Sequence, residues 1–176
     1  MAWQRGLLSG FNGNVSLRQG EVCFITQSGA AKGHLLPENV ATVRIADGVS
    51  LCGQPSSELA MHLEVYRRVP ETGAIVHTHP RHLLALDLLE GEEAFLRLPL
   101  FEAERMRQRL GFVPALEPGT RALAEAVGRE HTRHEAVWLS RHGLSCRGGD
   151  LVGALALAEE LEHLAAVQLL ARQPLA

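Results

Sequence analysis

The sequence predicts one α/β domain built on a mixed or antiparallel sheet. Three observations predict it. The chain has 176 residues and 46% of them are apolar, which is enough for one full core. Short β-patterned runs alternate with longer helical ones along the whole chain. Several neighbouring β-runs are joined by two-residue turns, which link antiparallel strands, whereas a doubly wound sheet needs a long crossover between strands. No internal repeat, low-complexity tract or linker-like stretch divides the chain, so residues 1–176 are expected to form a single domain.

Trp3 to Ser9 is too short for more than a helical remnant. Past Gly13-Asn14, Val15 and Leu17 alternate with Ser16 and Arg18 as a strand. The Gln19-Gly20 turn leads into a second strand over 21–26. The loop Thr26-Gln-Ser-Gly-Ala-Ala-Lys-Gly33 carries two hydroxyls, two glycines and the only lysine of the chain. It suits either a plain polar turn or a small anion cradled by backbone N–H groups, and it lacks Walker A spacing. Residues 42–45 and 49–52 make another hairpin across Asp47-Gly48.

Gly53-Gln-Pro-Ser-Ser-Glu58 opens a helix that is expected to run to about Arg68, with Ser56 or Ser57 as N-cap. Glu58 then either complements the helix dipole from the first turn or aims its carboxylate into a cleft. Ser56 and Ser57 would in that case offer hydroxyls and helix N–H groups to an anion. Leu59, His62, Leu63 and Tyr66 mark the apolar face, and His62 reads as a partly buried helix histidine rather than a ligand.

Gly73-Ala-Ile-Val-His-Thr-His-Pro80 is the stretch richest in chemistry. Ala74, Ile75 and Val76 read as a buried strand, which Pro80 cannot continue. Residues i and i+2 of a strand share a face, about 6.6 Å apart. His77 and His79 can therefore present both imidazoles to one metal ion, although two histidines also fall at this spacing by chance. Pro80 starts a helix through Leu89, on which His82 faces another direction and can at most brace the pair.

Next are expected a strand over 95–101, a charged helix over 102–110, a strand over 112–116, and a helix capped by Thr120 that runs to about Glu130. Glu135-Ala-Val-Trp-Leu-Ser-Arg-His-Gly143 mirrors the central stretch, a buried strand ending in a histidine. After a short return strand over 144–147, Asp150 caps a last helix to Arg172. Leu151, Leu155, Ala158, Leu161, Ala165 and Leu169 mark its expected buried stripe.

With 17 basic and 20 acidic residues the chain is slightly acidic, so neither nucleic acid nor an anionic membrane is implied as a partner. Cys23, Cys52 and Cys146 are odd in number and form no Cys-x-x-Cys pair, so neither a disulfide framework nor a thiolate zinc site is indicated. No stretch reads as a signal peptide or as the roughly 20 apolar residues of a membrane span. A cytoplasmic protein is the expectation.

Five short motifs now stand in order: Gly13-Asn14-Val-Ser16, Thr26-Gln-Ser28-Gly29, Pro55-Ser-Ser-Glu58, His77-Thr-His79 and Arg141-His142-Gly143. Together they resemble the class II aldolase/adducin family, over about Gly10 to Leu170. The resemblance implies a three-layer α/β/α sandwich on a mostly antiparallel sheet. It implies Zn2+ or another divalent metal on His77, His79 and His142, with Glu58 as a fourth ligand or nearby base. It implies a sugar phosphate as substrate, its phosphate held by Asn14, Ser28, Gly29, Ser56 and Ser57, and a homo-oligomer, most often a tetramer.

The implied activity is metal-dependent carbon–carbon cleavage of a phosphorylated ketose such as fuculose 1-phosphate. Zinc would polarise the ketone and Glu58 would carry the proton. The aldolase branch uses tyrosines as acids, and the one tyrosine here, Tyr66, sits in the helix after Glu58. The methylthioribulose-1-phosphate dehydratase branch shares the same motifs and uses a later glutamate, for which Glu102 is the counterpart. Glu102 equally suits a solvated carboxylate in a first helical turn. A non-catalytic, adducin-like module is the third reading, and the presence of all three histidines argues against it.

Overall fold

Gly20, at φ +58°, closes the first hairpin, a left-handed turn conformation that favours glycine. It joins β1 (Asn14–Gln19) to β2 (Val22–Thr26), with Ser16 opposite Ile25. β2 pairs antiparallel with β3 (Val40–Arg44), and β3 with β4 (Ser50–Cys52) beyond the Asp47-Gly48 turn. The other side of β1 pairs antiparallel with β5 (Ala74–Thr78), which sets Asn14 opposite His77. β5 pairs antiparallel with β8 (Gly143–Gly148), placing Ser145 opposite His77. β8 pairs antiparallel with β7 (Ala136–Leu139), and β7 runs parallel to β6 (Leu110–Val113). The computed structural model describes residues 2–172, and within them the order is β4-β3-β2-β1-β5-β8-β7-β6.

Among the described residues five α-helices cover the two faces: α1 (Leu59–Arg68), α2 (Arg81–Glu90), α3 (Phe101–Arg109), α4 (Arg121–Glu130) and α5 (Leu151–Leu170). Alternation along β5 assigns the layers. Ile75 points to the side of α1 and α4, where Ile25, Val43, Met61, Val127, Val137 and Leu139 share one core. Ala74 and Val76 point the other way, against Ala154 of α5. On that side Leu83 and Leu86 of α2 and Leu157 and Leu161 of α5 pack with Trp138 and Leu144. Burying each such leucine contributes about 1.5–3 kcal/mol, so the sheet is clamped from both sides. The result is the three-layer α/β/α sandwich on a mostly antiparallel sheet, mixed only at β6–β7.

Four local expectations are corrected. The helix expected to open at Gly53 begins at Leu59, and its N-cap is Glu58 rather than Ser56 or Ser57. Pro55 and the bridge between Gln27 and Pro55 keep that stretch extended. Residues 95–101 form no strand: Phe95 and Leu96 are both buried, Leu96 has φ +55°, and Pro99 could not join a ladder. Leu151 lies 37% exposed at the start of α5, whose buried stripe is Ala154, Leu157, Ala158, Leu161, Leu164, Ala165 and Gln168. His142 lies in the turn between β7 and β8, not at a strand end.

Candidate metal centre

β5 carries His77 at the middle of the sheet with no exposed surface, and His79 follows one residue past the strand. His142 is brought to them by the three-residue turn after β7. There Arg141 adopts φ +59° and donates its N–H to Asp87 Oδ2 at 2.7 Å, while His142 N–H reaches Leu139 O at 3.0 Å. Glycine is required on both flanks. A Cβ on Gly143 would lie 2.4 Å from Thr78 O and 2.9 Å from His79 Cδ2. One on Gly13 would lie 2.7 Å from His77 O.

The three rings stand edge to face with centroids 4.9–5.2 Å apart. One nitrogen from each lies within 4.8 Å of the others. His77 Nε2 is 3.1 Å from His79 Nε2. Glu58 spans the other edges, with Oε2 3.2 Å from His77 Nε2 and Oε1 3.3 Å from His142 Nε2. Ligands on a tetrahedral zinc at about 2.0–2.1 Å are separated from each other by roughly 3.3 Å. The donor set therefore fits a divalent metal held by His77, His79 and His142, with Glu58 at the remaining vertex. His77 Nδ1 lies 3.2 Å from Leu144 O, which can only accept, so Nδ1 carries the proton and Nε2 is free for the metal.

Electrostatics favour the same assignment. Burial, reinforced by His77, brings His79 down to about 3 and His142 to about 4, so both are neutral and ligand-competent at neutral pH. Burial alone would raise Glu58; positive charge at its edges, from a proton on His77 first and then on His142, together with the Asn14 amide that donates to it, holds its carboxyl well below the usual carboxylate range. A divalent cation on the neutral rings would act in the same direction.

A cavity of about 350 Å³ opens over this cluster. Glu58, His79 and His142 line it together with Asn14, Ser28, Gly29, Ser56 and Ser57, so the candidate phosphate groups and the candidate metal ligands share one space. Ser28, Gly29 and Ser57 are exposed, and Ser56 Oγ accepts from Glu58 N at 3.3 Å. Lys32 also lines the cavity; its Nζ donates to Phe11 O at 3.1 Å and Ala30 O at 2.8 Å, tying the loop before β1 to the loop after β2.

Glu102 lies exposed in the first turn of α3 and is not among the residues that line this cavity. His82 is turned away, with Nδ1 2.8 Å from Glu162 Oε1. Sequence reading gave His62 no part in the site, yet it is fully buried and joined to Glu58 through Asn14.

The buried histidines set an acid limit on stability. Burial lowers both His62 and His131 to about 3, against about 6.5 in an unfolded chain. Between those values the unfolded state binds protons that the folded state refuses, so stability falls as pH drops through this window. Thermal melting should occur at lower temperature at pH 5 than at pH 7.5. A melting temperature that does not change between them would contradict the buried neutral rings.

A family model, the class II aldolase and adducin N-terminal domain, matches residues 1–169. The chain is 36% identical over 165 residues to an L-fuculose phosphate aldolase of Methanococcus vannielii, covering 94% of this chain and 88% of that protein. It is 34% identical over 167 residues to a 3-oxo-tetronate 4-phosphate decarboxylase of Pectobacterium atrosepticum, covering 93% and 76%. Among solved structures, L-fuculose-1-phosphate aldolase from Thermus thermophilus superposes with a TM-score of 0.82 at 29% identity, over 97% of this chain and 88% of that one.

Proposed function

Because the chain belongs to the class II aldolase and adducin family, we propose that it is a metal-dependent lyase that cleaves a carbon–carbon bond in a phosphorylated ketose such as fuculose 1-phosphate. The observation that carries this reading is one cavity lined both by the histidine–glutamate cluster and by the Ser28-Gly29 and Ser56-Ser57 loops. A divalent metal, zinc by donor chemistry, would supply Lewis acidity that polarises the substrate carbonyl and stabilises the charge developing on its oxygen.

The chain's own residues do the rest. His77 and His142 flank the Glu58 carboxylate and set where it stands at the reacting end of the substrate. Glu58, ionised and in reach of that end, carries the proton as general base. Hydroxyls and N–H groups of the two serine loops hold the phosphate away from the bond being broken, so its binding energy orients the substrate. A homotetramer in the cytoplasm is part of the same proposal. The dehydratase alternative requires a second carboxylate at the reacting carbons, and Glu102 is outside the cavity of its own protomer.

The test is a product assay. Incubation with fuculose 1-phosphate and other ketose 1-phosphates should release dihydroxyacetone phosphate, and millimolar inorganic phosphate should inhibit the release and raise the melting temperature. Release of water instead of an aldehyde would favour dehydration. Indifference to phosphate in both turnover and melting would remove the serine loops from the site.

A further inference from the structure

A chain of hydrogen bonds runs from Glu58 into the core between β1 and α1. Asn14 Nδ2 donates to Glu58 Oε2 at 3.0 Å. His62 Nε2 lies 2.5 Å from Asn14 Oδ1. Ser16 Oγ lies 2.7 Å from His62 Nδ1 and 2.7 Å from Tyr66 Oη.

The chemistry of each group fixes the direction of the next bond. An ionised carboxylate only accepts, so the Asn14 amide must turn its nitrogen to Glu58 and its oxygen to His62. That oxygen only accepts, so His62 Nε2 carries the proton. A neutral imidazole has one N–H, and burial keeps His62 neutral, so Nδ1 accepts from the Ser16 hydroxyl. The Ser16 oxygen then accepts from Tyr66 O–H. Every donor points toward Glu58, and one arrangement alone satisfies all five groups.

We propose that His62 is a positioning residue: it locks the Asn14 amide, and the amide locks the Glu58 carboxylate between His77 and His142. The proposal rests on the reading that Glu58 acts at the candidate metal centre. His62 has no exposed surface, so it cannot touch substrate, and its effect must pass through Asn14. Without it the amide is free to turn over and set its oxygen against the carboxylate, which repels it. A catalytic group needs to be held within about 0.5 Å of its productive position, and a buried bonded partner is what supplies that. Asn14 thus serves Glu58 first, whatever its remaining N–H gives to a phosphate.

Two measurements test this. In the metal-loaded wild type, ¹⁵N NMR of the imidazoles should find His62 protonated at Nε2 and bare at Nδ1. The opposite tautomer overturns the proposal, and this reading needs no variant to fold. His62→Gln keeps a donor for Asn14 and an acceptor for Ser16, while His62→Phe keeps volume and loses both. His62→Phe should lower kcat by about 10–100-fold, the usual cost of removing an outer partner. KM and metal content should stay within about twofold, and His62→Gln should recover most of the loss. Equal losses in both variants, or an unchanged kcat in His62→Phe, would reject the positioning role. Full activity in Glu58→Gln would instead reject the reading of the site on which it rests.

Discussion

Glu58→Gln should lower kcat by roughly 10²–10⁴ while fold and most of the bound metal remain, the range expected on losing a general base. The substitution keeps size and one acceptor oxygen, puts an NH2 donor in place of the other, and removes charge and basicity. The alternative role for this residue is small: a carboxylate at a helix N-terminus contributes about 0.3–1 kcal/mol. Glu58 does not use its side chain in that way, since it is the N-cap of α1 and makes no capping bond. Its oxygens go to His77, His142 and Asn14 instead. Melting temperature should therefore change little, and turnover should carry the effect. Turnover that survives intact would reject the mechanism.

The second large effect is on the metal. His142→Ala should weaken divalent-metal affinity by more than the about 10–100-fold that loss of an outer partner costs, because a direct ligand is removed. The remaining donors, His77, His79 and Glu58, cannot rebuild the missing vertex. His142 sits in a turn fixed by Arg141–Asp87 and by the Leu139–Gly143 pair, and the described residues group no further histidine with His77 and His79. His142 belongs to neither core cluster, so its truncation should leave both cores intact, and metal loss and unfolding can be told apart by melting.

Local chemistry made much of this legible in sequence. Gly20 and Gly48 announce their hairpins, Thr120 and Asp150 accept from Leu123 and Gly153 as N-caps should, and the apolar run 74–76 marks a buried strand. The His-x-His spacing placed two rings together. The third ring came from resemblance, because the long stretch of chain between His79 and His142 carries no spacing rule.

What was hidden depends on partners distant in sequence. Nothing local tells that Asn14 would find Glu58, or His62 would find Asn14, since the pairs are 44 and 48 residues apart. The apolar run 95–101 imitates a strand, yet Phe95 and Leu96 are both buried, Leu96 adopts φ +55°, and Pro99 could not join a ladder. The parallel β6–β7 pair, by contrast, agrees with the strand–helix–strand order over 110–139, since a crossover long enough to carry α4 is what a parallel pair needs.

The most direct test of the central claim is metal binding by the stripped protein, followed by titration calorimetry and elemental analysis on wild type and His142→Ala. The account predicts one divalent ion per protomer in the wild type, bound tightly and needed for turnover, and a site too weak to retain it in His142→Ala. Full retention by His142→Ala with unchanged affinity, or wild-type turnover that survives chelation, would contradict it.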